Sequence, residues 1–187
     1  PMIDLTTRLG PLTLKNPITV ASGTFGAKDE FSSLIDYNRL GAVITKSVSV
    51  HPYKGNPMPR ICETPSGMLN AIGLQNDGID DLLKEKVPYF DSIDTVLIVS
   101  LAGKSVDEFM ILAEKCAKVL RINAVELNIS CPNVKEGGIQ FALDYDMTER
   151  LVREVKQVFQ KPVIVKLSPE GDIVASAEAA VRGGADI

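Results

Sequence analysis

Histidine is nearly absent from this chain, with only His51 among 187 residues, so a catalytic metal centre built on imidazole is not expected. Cysteine is sparse too. Cys62, Cys116 and Cys131 are odd in number and lack CxxC spacing, which argues against a disulfide framework and against a zinc site. No apolar run approaches the ~20 residues of a membrane span, and the N-terminus shows no basic region leading into an apolar one. These absences predict a cytoplasmic protein. Lys and Arg are scattered and the formal charge is -4, so there is no footprint for nucleic acid or an anionic membrane. No Gly-x-Gly-x-x-Gly turn follows the first buried-looking run, which weakens an open dinucleotide-binding sheet.

What remains is 45% apolar residues and 24% charged, enough for one globular domain with a real core. Leu5 to Leu14, alternating about Gly10-Pro11, predicts a hairpin that acts as a plug or cap. Extended runs follow at Pro17 to Ala21, Ala42 to Thr45, Thr95 to Ser100, Ala124 to Asn128 and Pro162 to Leu167. Helices are predicted around Glu30 to Tyr37, Ile79 to Val87, Ser105 to Leu120, Asp146 to Phe159 and Asp172 to Arg182. Capping boxes open two of them, at Ser105 with Glu108 and at Asp146 with Glu149. A sixth strand is expected to begin within Gly183 to Ile187.

Near-continuous apolar strands alternating with amphipathic helices must be covered on both faces. The fold class expected is therefore α/β, a (β/α)8 TIM barrel of which residues 1–187 form a partial domain. A full barrel needs ~250 residues. The chain would supply the first five βα units after the hairpin, with the later units absent. Between His51 and Gly78 a Pro, Gly and Asn-rich stretch is too long for a plain connection. Its apolar interior, Met68 to Leu74, predicts a segment folded over a pocket mouth.

Barrel enzymes keep their chemistry at the C-terminal ends of the strands. There the sequence places Ser22-Gly23, Lys46-Ser47, Ser100, Asn128 to Asn133, and Lys166. Cys131, between Asn128 and Asn133 in a polar loop, is open to use as nucleophile, metal ligand or proton acceptor, and the plainer alternative is a small buried hydrophobe. Lys46 and Lys166 end apolar strands, where a charge is costly unless it meets an anion or a reacting group. A Schiff-base nucleophile and a lysine holding a cofactor's negative charge both fit, and so does snorkelling to the rim. The amides of Asn70, Asn128 and Asn133 suit a neutral, amide-containing ring, although each alone reads equally well as a turn former. Cys116 is expected in the core and His51 in solvent.

Asn128-Ile129-Ser130-Cys131-Pro132-Asn133, with Asn70-Ala71-Ile72-Gly73-Leu74, Ala21-Ser22-Gly23, Thr45-Lys46-Ser47 and Val165-Lys166-Leu167, resembles the dihydroorotate dehydrogenase family along the whole chain. Asn133 to Gly138 is similar to the class 1B bacterial catalytic subunits. The resemblance implies an FMN-binding (β/α)8 barrel that oxidises dihydroorotate to orotate in pyrimidine biosynthesis. By matching position, Ser22, Lys46, Ser47, Ser100, Asn128 and Lys166 would contact FMN. Lys46, Asn70, Ala71, Ile72, Gly73, Leu74, Asn128 and Asn133 would hold the substrate, and Cys131 would be the base. A partner subunit carrying FAD and a 2Fe-2S cluster, with NAD as final acceptor, and a homodimer are implied as well. The family's flavin phosphate site lies on later strands, so this portion alone is not expected to bind FMN normally. The rivals are a related flavin-dependent pyrimidine reductase and a Schiff-base aldolase acting through Lys166.

Overall fold

The computed structural model of the chain describes residues 3–130 and 143–187. Five strands form one parallel sheet: β3 (Thr19–Val20), β4 (Ala42–Ile44), β7 (Val96–Leu101), β8 (Ala124–Asn128) and β9 (Val163–Lys166), in that spatial order. Sequential order and parallel pairing require a crossover after each strand. Helices α2 (Val106–Ala117) and α3 (Tyr145–Val158) lie in the last two crossovers, and α4 (Ile173–Gly183) follows β9. Helix α2 packs on β7, β8 and α3, whereas α3 packs on β9 and α4.

Side-chain alternation divides the sheet into two faces. Leu97, Val99, Leu101, Val125, Leu127, Val163 and Val165 point outward into the core shared with the helices, against residues such as Phe109, Leu112, Leu151 and Val155. The inner face carries Ala42, Ile98 and Ala124, packed against Leu12 and Leu14 of the N-terminal hairpin, β1 (Thr7–Leu9) with β2 (Leu12–Leu14). The predicted plug is present, at the N-terminal ends of the strands. Its leucines leave water, which is worth roughly 1.5–3 kcal/mol for each full burial.

Helix ends follow the expected chemistry with one displacement. Ser105 caps α2 by accepting from Glu108 N, and Asp172 caps α4 by accepting from Val174 N and Ala175 N. For α3, however, the cap is Asp144, whose carboxylate accepts from Met147 N at 3.0 Å, and not Asp146. Asp146 falls in the first turn instead, where its charge faces the positive end of the helix dipole.

The helix expected over Glu30 to Tyr37 is absent; this stretch forms turns ending in a 3-10 helix, Tyr37–Arg39. Side chains have taken the backbone groups a helix would use. Glu30 accepts from Ala27 N and Lys28 N, the Tyr37 hydroxyl accepts from Phe31 N, and Asp36 accepts from Asn38 N. The helix predicted near Ile79 begins as α1 (Ile79–Asp81) and then widens through Leu82–Lys86 before tightening to a 3-10 turn over Val87–Ser92. Pro88 lacks the N–H that a regular α-helix would require there. Gly183 ends α4 and Gly184 takes a left-handed φ of 98°; no strand is assigned after it among the described residues, but Asp186 N donates to Val163 O and Val165 N to Ile187 O beside β9.

The stretch from 51 to 78 holds an antiparallel hairpin that sequence patterning did not reveal, β5 (Ile61–Thr64) and β6 (Gly67–Asn70). Met68 and Leu69 are 60% and 67% exposed on it, so these apolar side chains are not buried in a pocket roof.

Candidate active site

The polar side chains that the sequence places at strand ends converge on the inner face, two residues beyond its apolar floor. Ile98 is followed on that face by Ser100, Ala124 by Glu126 and Asn128, and Ile164 by Lys166. Ser22 follows β3 and Ser47 follows β4. Lys166 Nζ donates to Ser22 Oγ at 2.6 Å and to Glu126 Oε1 at 3.1 Å. Since β3 and β9 are the outermost strands of the five, that contact spans the concave side of a strongly curled sheet.

The remaining contacts form a directed chain. Ser100 Oγ donates to Glu126 Oε1 at 2.7 Å, because an ionised carboxylate only accepts. Its one proton is thereby used, so in the 2.9 Å contact between Ser47 Oγ and Ser100 Oγ, Ser47 is the donor. Ser47 Oγ in turn accepts from Asn128 Nδ2 at 3.0 Å. Asn128 Oδ1 accepts from the Ser130 hydroxyl at 2.9 Å. Among the described residues, these bonds use one of the two amide N–H groups of Asn128 and two of the three ammonium N–H groups of Lys166.

Glu126 was not among the residues singled out from sequence. It is 4% exposed in a strand whose outward neighbours are Val125 and Leu127. Its signal was available: a charge at alternate spacing from Asn128, on the face opposite the apolar run. Buried carboxylates of this kind need a partner, and Glu126 has both a cation and a hydroxyl.

Lys46 follows β4. Its backbone N–H donates to Gly26 O, and it lines a polar cavity of about 220 Å3 with Glu30, Gln75, Asn76, Asp77 and Lys86. Burial raises the Glu30 carboxyl, but its bonds from backbone N–H groups and the Lys86 charge outweigh this and hold it below the usual range.

The 70–74 segment is strapped in place by two asparagines that sequence reading passed over. Asn56 donates from Nδ2 to Ala71 O and from its backbone to Ile72 O, and Asn76 donates to Leu74 O. Asn76 also accepts from Ser49 N, tying the segment to the exit of β4. Gly73 has φ 74°, and a Cβ there would lie 2.7 Å from Asn56, so the close approach requires glycine. Asn70 and Ala71 are exposed, Ile72 and Leu74 half-buried.

Cys131 and Asn133, the proposed base and substrate amide, lie outside the described residues, as does the Gly137-Gly138 loop. Of the other thiols, Cys62 is exposed and Cys116 is core, with burial pushing its thiol up to about 12. His51 is exposed. Lys166 is paired with the Glu126 carboxylate and donates to the Ser22 hydroxyl. Among the described residues no helix is long and apolar enough to cross a membrane.

Comparison with known proteins bears on the family and the fold. A family model for dihydroorotate dehydrogenase matches residues 4–186. "Dihydroorotate dehydrogenase B (NAD(+)), catalytic subunit" of Geotalea daltonii is 48% identical over 184 residues, 98% of this chain and 60% of that protein. The protein of the same name from Lachnoclostridium phytofermentans is 51% identical over 176 residues, 94% of this chain and 58% of its own length. The chain thus spans about 60% of the length of the curated relatives it matches. The crystal structure of DHODH in complex with ferulenol from Eimeria tenella superposes with a TM-score of 0.79 at 17% identity. It covers 97% of this chain and 57% of the other, a likeness of fold that makes the curled sheet part of a TIM barrel. The chain belongs to the dihydroorotate dehydrogenase family.

Proposed function

We propose that the protein to which this chain belongs oxidises dihydroorotate to orotate as the NAD-linked catalytic subunit. The observation that carries this is the inward network of Ser22, Ser47, Ser100, Glu126, Asn128 and Lys166 at strand C-terminal ends, in a chain of this family.

The donor set fits FMN. Hydroxyl, amide and ammonium donors stand over an apolar floor, matching a flat apolar ring edged by carbonyl oxygens and ring nitrogens. FMN supplies the hydride acceptor when bound. Ser22, Lys46, Ser47, Ser100, Asn128 and Lys166 would hold it. Lys46 and the 70–74 segment, with Asn128 and Asn133, would hold the pyrimidine and its carboxylate. Lys46 offsets that carboxylate's charge, and the amides stabilise charge developing at the ring carbonyl.

Cys131 takes the proton from C5 of dihydroorotate while hydride leaves C6. A free thiol with pKa ~8.5 is only a few per cent ionised at neutral pH, so flavin reduction should accelerate as pH rises. A partner subunit carrying FAD and a 2Fe-2S cluster would supply the relay to NAD, in a cytoplasmic assembly built on a homodimer.

The full-length protein should show a flavin spectrum that bleaches anaerobically on adding dihydroorotate. Cys131→Ala should keep the flavin yet slow its reduction by roughly 10²–10⁴-fold in stopped flow. Unchanged reduction would place the base elsewhere. A flavin reduced by NADPH or NADH but not by dihydroorotate would favour a related pyrimidine reductase.

A further inference from the structure

Among the described residues, one run of hydrogen bonds on the inner face leads to a single acceptor, Glu126. Asn128 donates to Ser47, Ser47 to Ser100, and Ser100 to Glu126; from the other side Lys166 donates to the same oxygen of Glu126. A network read in this way has a direction, and the direction is set by its terminal acceptor. Were the acceptor to become a donor, Ser100 would no longer have to spend its proton there. Ser47 and the amide of Asn128 would then be free to turn around.

The same residue balances charge. Lys166 is a cation on the inner face of a barrel, with its side chain one third exposed, and Glu126, with its side chain 6% exposed, stands 3.1 Å away. Together they present a neutral pair to the mouth where Lys166 alone would present a bare ammonium. At such a separation the two charges see each other far better than a solvated pair does.

We propose that Glu126 is a positioning residue of the flavin site, fixing the direction of the Asn128–Ser47–Ser100 donor chain and compensating the charge of Lys166. This rests on the proposed flavin function, and it assigns Glu126 a role through Lys166 and Ser100 without contact to substrate.

Charge compensation has a signature that a purely structural role lacks: the two members of the pair should move the bound flavin's reduction equilibrium in opposite directions. In the full-length protein, Glu126→Gln unmasks Lys166 and should favour the reduced flavin by about tenfold, ~30 mV for a two-electron couple. Lys166→Met leaves Glu126 uncompensated and should disfavour it by a similar factor. The double variant should return to within about threefold of the parent, ~15 mV on the same scale. An unchanged equilibrium in Glu126→Gln, or a shift in the same direction as Lys166→Met, overturns the proposal.

Thermal unfolding of the four proteins provides a readout that does not need flavin. Each single variant should lower Tm more than half as much as the double does, because either one leaves a partner unpaired. Strict additivity of the two losses counts against the pairing. If Glu126→Gln alone does not fold, recovery of folded protein on adding Lys166→Met supports it and no recovery overturns it. Absence of any flavin from the parent protein would sink the functional reading, while the Tm cycle still decides whether the pair is coupled.

Discussion

The inner face of the sheet has two contrasting ends. At the N-terminal end Leu12, Leu14, Ala42, Ile98 and Ala124 make a closed hydrocarbon plug. At the C-terminal end the same strands present Ser100, Glu126, Asn128 and Lys166. The change takes one alternate position on β7, from Ile98 to Ser100, and one on β8, from Ala124 to Glu126. Backbone and register are shared, so the contrast is purely one of side chains. The plug buries apolar surface and supplies stability with no chemistry. The mouth holds buried polar groups that need one another, and that need makes their geometry definite.

The plug is where a substitution should cost most. Leu14 is 2% exposed against Ala42, Ile98 and Ala124, and Leu14→Ala should destabilise the full-length protein by about 3 kcal/mol through lost transfer energy and a residual cavity. Urea titration measures it, and the flavin spectrum should stay as in the parent. A loss under ~1 kcal/mol would mean that the hairpin does not pack as a plug. The mouth should respond less to a comparable truncation. Ser100→Ala removes one donor to a buried carboxylate that keeps Lys166, for a loss of about 2 kcal/mol. Unlike the first change it should also disturb flavin binding, since Ser47 then loses its acceptor and Asn128 its fixed orientation. If Ser100→Ala leaves flavin affinity intact, the two ends are less distinct than the geometry makes them.

Much of this contrast was legible from residues alone, and the failures have a common cause. Apolar runs located all five parallel strands, and over β7 and β8 burial on both faces kept those runs nearly continuous. Ala124 to Asn128 matches β8 residue for residue. The Gly10-Pro11 hairpin and the cap at Ser105 rest on local chemistry and were readable for that reason. What escaped depends on long-range partners. The turns over residues 30–37 arise from the Tyr37 hydroxyl and the Glu30 carboxylate capturing backbone donors. The β5–β6 hairpin has exposed positions throughout and so gives no periodic signal. At the site, lysines at strand ends drew attention as costly charges, yet Glu126, the carboxylate that answers Lys166, was read as part of an apolar run. A charge inside such a run is itself a sign of a partner across the barrel.

Two glutamates sharpen the point. Glu126 is enclosed by the mouth, whereas Glu149 sits on the outer layer, where α3 meets α4, bridging Arg182 at 2.8 Å and also pairing with Arg153. The hydrogen bond from Arg182, helped by the Arg153 charge, holds the Glu149 carboxyl below its usual range. A carboxyl lowered by folding contributes stability that is present above its unfolded value, near 4.3, and is lost as pH falls through its lower folded value. Glu149→Gln should therefore flatten the acid limb of the stability curve between those two values. At neutral pH it should cost less than either substitution above, because water and salt already screen an exposed pair. Raising the salt concentration should shrink the difference from the parent further. Denaturation at pH 7 and pH 4, each at low and high salt, would show it. A salt-insensitive loss as large as that of Ser100→Ala would mean that the helix layer, and not only the barrel mouth, depends on tightly held charge.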